Sequence, residues 1–268
     1  MPRRYNRATN VKQDSDIFLS QFGESITQEI VMLAPMPVLL LGGTGWGKSV
    51  LAREVSRRLQ QEYLSINAYP GMDIGLLVGM WRPTSDSNGI SVVWEDGSLT
   101  RAVKQGAIFL LEEITRAPQE MVSRLFGLLD TSFRYWSIPE AGIPDVPVHP
   151  KFAMVATANP SGLGYASQKL DKAMQRRFAA IFEIDAPIAD EMKILESRLP
   201  TQMVSRVYNF MQDARKDAAT NLNTGDIVHL ANLIHRGFSP IRAVSLAIVP
   251  KYPDSGPGLK LVAKAHFI

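Results

Sequence analysis

A glycine-rich segment between residues 42 and 50 has the residue types and spacing needed to bind phosphate. It follows an apolar run, ends in Gly47-Lys48-Ser49 and leads into a helical pattern, which matches Gly-x-x-x-x-Gly-Lys-[Ser/Thr] in its strand-to-helix context. Glycines let backbone N–H groups approach an anion closely, and a helix N-terminus adds its dipole. The alternative is a glycine-rich strand-to-helix turn with a chance Lys-Ser pair. The residues expected to surround the phosphates are Gly42, Gly43, Thr44, Gly45, Trp46, Gly47, Lys48, Ser49 and Val50.

Two carboxylates directly follow a second apolar run, residues 107–111. A carboxylate at that position lies beside a phosphate loop and can hold Mg²⁺, while the next one can orient or deprotonate the attacking water. We therefore predict that Glu112 and the Ser49 hydroxyl bind Mg²⁺ and that Glu113 orients or deprotonates the attacking water. Lys48 is predicted to bind the outer phosphates. The alternative for the two glutamates is a polar cap where a loop begins.

An amide and two arginines complete the candidate set. Asn159 lies two residues after the apolar run 152–157 and can donate to the γ-phosphate while accepting from the lytic water. The alternative is that it starts an Asn-Pro turn. Arg176 and Arg177 precede a strand-like segment. An arginine there is placed to reach the nucleotide of a neighbouring subunit, and Arg177 is our first choice and Arg176 the second. The alternative is that one of them stabilises a helix C-terminus.

Strand and helix patterns alternate through the first two thirds of the chain. Short apolar runs predict strands at 38–41, 63–66, 107–111, 152–157 and 179–184, and helical periodicity lies between them. This order predicts an α/β fold with a five-stranded parallel sheet and helices on both faces. Turn signals between 67 and 106 surround a strand-like run, 90–94, and predict an inserted hairpin. No strand pattern follows residue 187, and helices are predicted at 190–199, 201–217, 224–236 and 239–249.

Length and composition limit the architecture. The chain has 268 residues, 46% of them hydrophobic, a net charge of +3 and no cysteine. The lack of cysteine excludes disulfides and thiolate chemistry. No run is long enough to cross a membrane and no apolar stretch follows the basic N-terminus, so we expect a cytoplasmic protein. The predicted division is a disordered basic N-terminus at 1–14, an ATPase core at 15–186, a helical lid at 187–250 and a loosely ordered tail at 251–268.

The motif set resembles that of the AAA+ ATPases. It comprises the loop 42–49, Glu112-Glu113, Asn159 and Arg176-Arg177-Phe178, followed by a helical region. Three further segments are similar to the MoxR group, in the branch that contains CbbQ, NorQ and the gas-vesicle protein GvpN. These are residues 94–102 before the acidic strand, 114–118 after it and 149–152 leading to Asn159.

The resemblance implies an ATP- and Mg²⁺-dependent motor that assembles into a hexameric ring, with ATP bound between subunits. Members of the group remodel or activate a protein client, often with a partner that carries a von Willebrand factor A (VWA) domain. Residues 133–148 would form the hairpin before sensor 1, and 67–106 would contain the insert on helix 2. Both elements face the pore in family members.

Two positions depart from the family pattern. Glu112 replaces the usual aspartate and is one methylene longer. The lid arginine called sensor 2 is expected within 223–226, where this chain has Gly225. Arg242 superficially fits another sensor-2 pattern but lies one helix later, and we interpret it as surface or helix-start chemistry.

Two other functions fit the same core. A nucleic-acid translocase or loader would need a basic, aromatic pore hairpin; residues 133–136, Phe-Arg-Tyr-Trp, are compatible with it, whereas Glu140 and Asp145 argue against it. A nucleotide-gated structural ring with little hydrolysis is motivated by Glu112 and Gly225.

Overall fold

The computed structural model describes residue 19 and the ranges 21–86, 89–160, 170–216 and 220–268. The predicted disordered segment 1–14 lies outside the described residues. The strands are β1 (Val38–Leu41), β2 (Tyr63–Asn67), β3 (Gly79–Asp86), β4 (Gly89–Asp96), β5 (Ile108–Glu112), β6 (Trp136–Ile138), β7 (Ile143–Val146), β8 (Ala153–Ala158) and β9 (Ala180–Glu183). The α-helices are α1 (Gln21–Leu33), α2 (Lys48–Leu59), α3 (Gly75–Val78), α4 (Ser98–Gln105), α5 (Gln119–Arg124), α6 (Phe126–Leu129), α7 (Lys172–Gln175), α8 (Glu191–Glu196), α9 (Thr201–Ala214), α10 (Thr224–His235), α11 (Pro240–Ala247) and α12 (Gly256–Phe267).

The central sheet among the described residues has five parallel strands in the order β2-β5-β8-β1-β9. Its side chains alternate between two apolar clusters, because successive residues of a strand point to opposite faces. Leu39 and Phe109 pack on the side of α4 and α5, whereas Leu40 and Ile108 pack on the side of α1 and α2. The predicted α/β fold with helices on both faces is confirmed.

Two antiparallel hairpins project from this core. One pairs β3 with β4, where the turn signals predict an insertion, and the other pairs β6 with β7. They are connected at Glu140, whose carbonyl accepts a 2.9 Å hydrogen bond from the Trp81 indole N–H and whose carboxylate pairs with Arg124. The helical pattern after β5 forms two short helices, α5 and α6, which meet at Leu125.

The helical region from α8 to α12 has its own apolar core. Val207, Phe210 and Leu230 are fully buried there. The loosely ordered tail expected from residue 251 is wrong for residues 256–267, which form α12. Leu259 and Ala263 lie one turn apart on this helix and are buried in the same core, and burial of apolar surface stabilises a segment whose glycines and proline alone suggest a loop. Within the described parts of the chain, no helix has the length and apolar character needed to cross a bilayer.

Truncating Leu259 should therefore destabilise the helical region. Leu259 is 2% exposed and Leu261, two residues along the same helix, is 70% exposed. We expect Leu259→Ala to lower the free energy of unfolding by about 2–5 kcal/mol and Leu261→Ala to change it by less than about 0.5 kcal/mol. Urea unfolding followed by circular dichroism measures both, and equal losses for the two variants would contradict the packed position of α12.

Candidate nucleotide-binding site

The phosphate-binding loop joins the end of β1 to the start of α2. Gly45 and Gly47 have φ values of 80° and 86°, a conformation that side chains disfavour and that turns successive backbone N–H groups toward one side. Trp46 packs closely on Gly43 of its own loop. A Cβ added to Gly43 would lie only 2.5 Å from the indole ring. The loop therefore has the concave, amide-lined shape that an anion requires.

Lys48 bends back over this loop. Its Nζ donates to the carbonyls of Gly42 and Gly43 at 2.6 and 2.8 Å and to Oδ1 of Asn159 at 3.2 Å. Burial lowers the pKa of Lys48 to about 8, while the nearby carboxylates of Glu113 and Glu112 act in the opposite direction. The lysine and the asparagine, 111 residues apart in the chain, thus meet at one point.

The two residues predicted to serve Mg²⁺ also meet. The Ser49 hydroxyl donates to Oε2 of Glu112 at 2.7 Å. Hydroxyl and carboxylate oxygens are hard ligands of the kind that Mg²⁺ takes from proteins. The longer side chain of Glu112 reaches the serine, so the residues present fit the metal.

Glu113 is held in a distinctive conformation. Its φ is 53°, its N–H donates to the buried Thr157 hydroxyl at 3.1 Å, and its carboxylate accepts from Arg116 at 2.8 Å. The backbone is therefore pinned to β8 while the side chain forms an ion pair within its own turn. Glu113 must leave Arg116 before it can accept a proton from water.

A cavity of about 910 Å³ extends from the loop to the helical region. Lys48, Ser49, Glu112, Glu113 and Asn159 all line one end of it. Its other walls contain residues that sequence reasoning missed: Leu19, Phe22, Ile184, Pro187, Arg198, Val228, His229, Asn232, His235 and Arg236. The α10 members of this group recur at helical spacing, but nothing in that pattern says which partner the helix faces.

Comparison with known proteins gives the family. The AAA domain (dynein-related subfamily) matches residues 37–178, a range that contains the loop, both glutamates, Asn159 and both arginines. The chain belongs to this AAA family. AAA ATPases bind nucleotide, and the cavity is the candidate site for it.

Relatives of this AAA protein cover most of its length. Protein NorQ of Paracoccus denitrificans is 29% identical over 95% of both chains. Denitrification regulatory protein NirQ of Stutzerimonas stutzeri is 30% identical, over 87% of this chain and 85% of its own. The resemblance to the MoxR group and to its NorQ branch is thereby confirmed. The crystal structure of NtrX from Brucella abortus shares the fold, with a TM-score of 0.52 and 15% identity, over 84% of this chain and 54% of that chain.

The two arginines lie apart from the nucleotide cavity of their own AAA domain. Arg177 is half-buried, with its guanidinium carbon 4.3 Å from the centre of the Phe126 ring, whereas Arg176 is exposed. In the lid, Gly225 lines the cavity and Arg242 does not. Arg242 is an exposed residue in the first turn of α11.

Nucleotide binding should take up a proton above pH 8. Phosphate charge favours protonated Lys48 and raises its pKa above the apo value of about 8. Uptake should therefore be small near pH 7 and approach about one proton near pH 9, and affinity should fall as the pH rises through this window. Calorimetry of ADP binding without Mg²⁺, in buffers of different ionisation enthalpy, measures the uptake.

The matched control is Lys48→Arg, whose guanidinium stays charged throughout this range. It should show no pH-dependent uptake. Identical uptake by the arginine variant and the wild type would show that another group titrates.

Proposed function

We propose that this AAA protein is a Mg²⁺-dependent ATPase that works in a ring and remodels or activates a protein partner. The observation that carries the proposal is the convergence of Lys48, Ser49, Glu112 and Asn159 around one amide-lined loop. Three separate segments of the chain supply these four side chains, and each contacts another member of the set. A glycine turn that binds no ligand would not be expected to bring these four side chains together.

Each side chain has a role that its contacts support. Lys48 exchanges the carbonyls of Gly42 and Gly43 for phosphate oxygens, since both are acceptors for its three N–H groups. Asn159 is already within hydrogen-bonding distance of that lysine and can orient a water against the same phosphate. Ser49 and Glu112 would hold Mg²⁺, which supplies neutralisation of the phosphate charge when it is bound.

Glu113 is the proposed general base. In this structure Arg116 competes for its carboxylate, so release of that ion pair precedes proton transfer. The pair is half-exposed, at 44% for Arg116 and 29% for Glu113, and exposed pairs of this kind contribute only about 0–1 kcal/mol. Releasing the ion pair therefore costs little free energy.

The arginines support a site completed between subunits. Neither Arg176 nor Arg177 lines the cavity of its own chain, as expected for a residue that acts on a neighbour's nucleotide. Arg177 is already engaged with Phe126, and we therefore propose Arg176 as the first candidate, reversing the order expected from the sequence. The hexameric ring and a VWA-domain partner rest on the family resemblance, and the cytoplasmic location stays the expectation from the sequence.

The hairpin at Trp136 favours a protein client over nucleic acid. Phe133 and Tyr135 are 75% and 51% exposed, but Arg134 between them turns inward. Its guanidinium donates to the backbone carbonyls of Phe152 at 2.6 Å and Pro35 at 3.3 Å. A nucleic-acid groove needs cations that face the backbone phosphates, and here the cation of the hairpin faces the core.

Replacing the proposed base tests hydrolysis. Glu113→Gln should lower the ATP turnover rate by about 10²- to 10⁴-fold and leave ATP affinity near that of the wild type, because the phosphate cradle is unchanged. Glu120→Gln, the same change at an exposed position of α5, is the control. Equal, negligible turnover by the wild type and Glu113→Gln would favour the nucleotide-gated structural ring.

Replacing the arginines tests the shared site. Arg176→Ala should lower turnover by about 10³-fold or more, and Arg242→Ala should not change it. Mixing Arg176→Ala chains with Lys48→Ala chains should restore part of the activity. In a mixed ring, the intact Lys48 of one chain can lie beside the intact Arg176 of its neighbour. No recovery on mixing, with both variants assembled, would argue against action between subunits; Arg177→Ala is tested in parallel.

A further inference from the structure

The tip of the phosphate loop touches the first turn of α10. A Cβ on Gly45 would lie 2.7 Å from Oδ1 of Asn223 and 3.3 Å from the backbone nitrogen of Gly225. A Cβ on Gly225 would lie 2.9 Å from the same Asn223 oxygen and 3.4 Å from the Cα of Gly45. The loop and the helix therefore meet backbone to backbone. The two glycines at this contact are 180 residues apart in the chain.

This first turn is rigidly capped. The Asn223 side chain accepts from the Asp226 N–H at 3.1 Å, and the Asp226 carboxylate accepts from the Asn223 N–H at 3.0 Å. Lys251 and Tyr252 also donate to that carboxylate, at 2.6 and 3.1 Å. Such a reciprocal cap satisfies two backbone N–H groups at the start of the helix.

A buried charge cluster fixes the position of the same turn. Glu191 is 0% exposed and accepts two hydrogen bonds from Arg215, at 2.6 and 2.7 Å, and one from the Thr224 hydroxyl at 2.7 Å. These bonds raise the pKa of Arg215. The cluster joins the start of α8, the position after α9 and the first residue of α10.

A buried ion pair is weak evidence for stability, because desolvation offsets much of its attraction; specifying one arrangement is the better-attested use of such groups. The arrangement specified here is the approach of α10 to the loop. It is reached through Thr224, the residue directly before Gly225.

We propose that Glu191, Arg215 and Thr224 are positioning residues of the nucleotide site, which hold the first turn of α10 against Gly45. The lid then responds to the phosphate loop through this backbone contact, at the position where an arginine was expected. The inference rests on the proposed ATPase function only for its kinetic readout. Loosening the contact lowers the fraction of chains in the binding-competent arrangement, and apparent affinity falls in proportion to that fraction.

The first test adds one methyl group to the contact. Gly225→Ala should raise the KM for ATP and the dissociation constant for ADP by at least about threefold, because a smaller fraction of the chains is in the binding-competent arrangement. Gly258→Ala is the matched control, since Gly258 lies in the first turn of α12 and a Cβ there would meet no atom within 4 Å. Both changes raise helix propensity similarly, so a difference between them reports crowding of the Asn223 oxygen, which lies against both Gly225 and Gly45.

The second test removes one hydroxyl from the cluster. Thr224→Val keeps the side-chain shape and leaves the Glu191–Arg215 pair, but it removes the bond to α10. We expect the same rise in KM and dissociation constant, with kcat changed less than KM, and we expect Thr224→Ser to restore wild-type values because it keeps the hydroxyl. Thermal unfolding of all four variants identifies any that do not fold.

The outcomes separate this inference from the proposed function. Wild-type affinity in folded Gly225→Ala and Thr224→Val would overturn the inference while leaving the ATPase intact, as would equal rises in Gly258→Ala and Thr224→Ser. If the wild type binds ADP without hydrolysing ATP, the proposed function fails and the dissociation constants still decide the inference. Absence of nucleotide binding by the wild type would overturn both.

Discussion

The neighbouring positions of β1, β5 and β8 are the constraint on which the nucleotide site depends. All three run parallel, so their carboxyl ends open at one edge of the sheet, as ligand sites of open α/β sheets require. Pairing of Leu41 with Ala158 places the phosphate loop beside Asn159, and pairing of β5 with β8 places Glu112 and Glu113 beside both. Burial of the strands on two apolar clusters holds this arrangement before any ligand binds.

Charged groups around the site are paired with partners that phosphate oxygens or water can replace. Lys48 is held by two loop carbonyls and Asn159, and Glu113 by Arg116. Each contact offsets the desolvation free energy that an unpaired charge would cost in a partly buried site. The pair Glu191–Arg215 differs, because it lies outside the cavity lining and serves the arrangement of the lid. Exchangeable contacts thus lie at the phosphate end, and fixed contacts lie behind the helix that faces it.

The lid is more extensive than its sequence pattern suggests. Leu259 and Ala263 of α12 complete the core formed by α9 and α11, and Lys251 and Tyr252, just before that helix, brace the cap of α10 through Asp226. The last residues of the chain therefore contribute to the element that touches the phosphate loop. Gly225 fits this arrangement, because a Cβ there would lie 2.9 Å from the Asn223 oxygen that also lies against Gly45.

The sequence by itself determined the parallel α/β core, the phosphate loop and the identities of Lys48, Ser49, Glu112, Glu113 and Asn159 as site candidates. These follow from local rules: apolar runs buried on both faces, glycines with positive φ and polar residues at strand ends. Only the tertiary structure decided that α10 forms a wall of the cavity, that Arg134 turns inward and that residues 256–267 are helical. Periodicity marks a helix face as apolar or polar but does not name its partner, since that choice is made by packing between segments far apart in the chain.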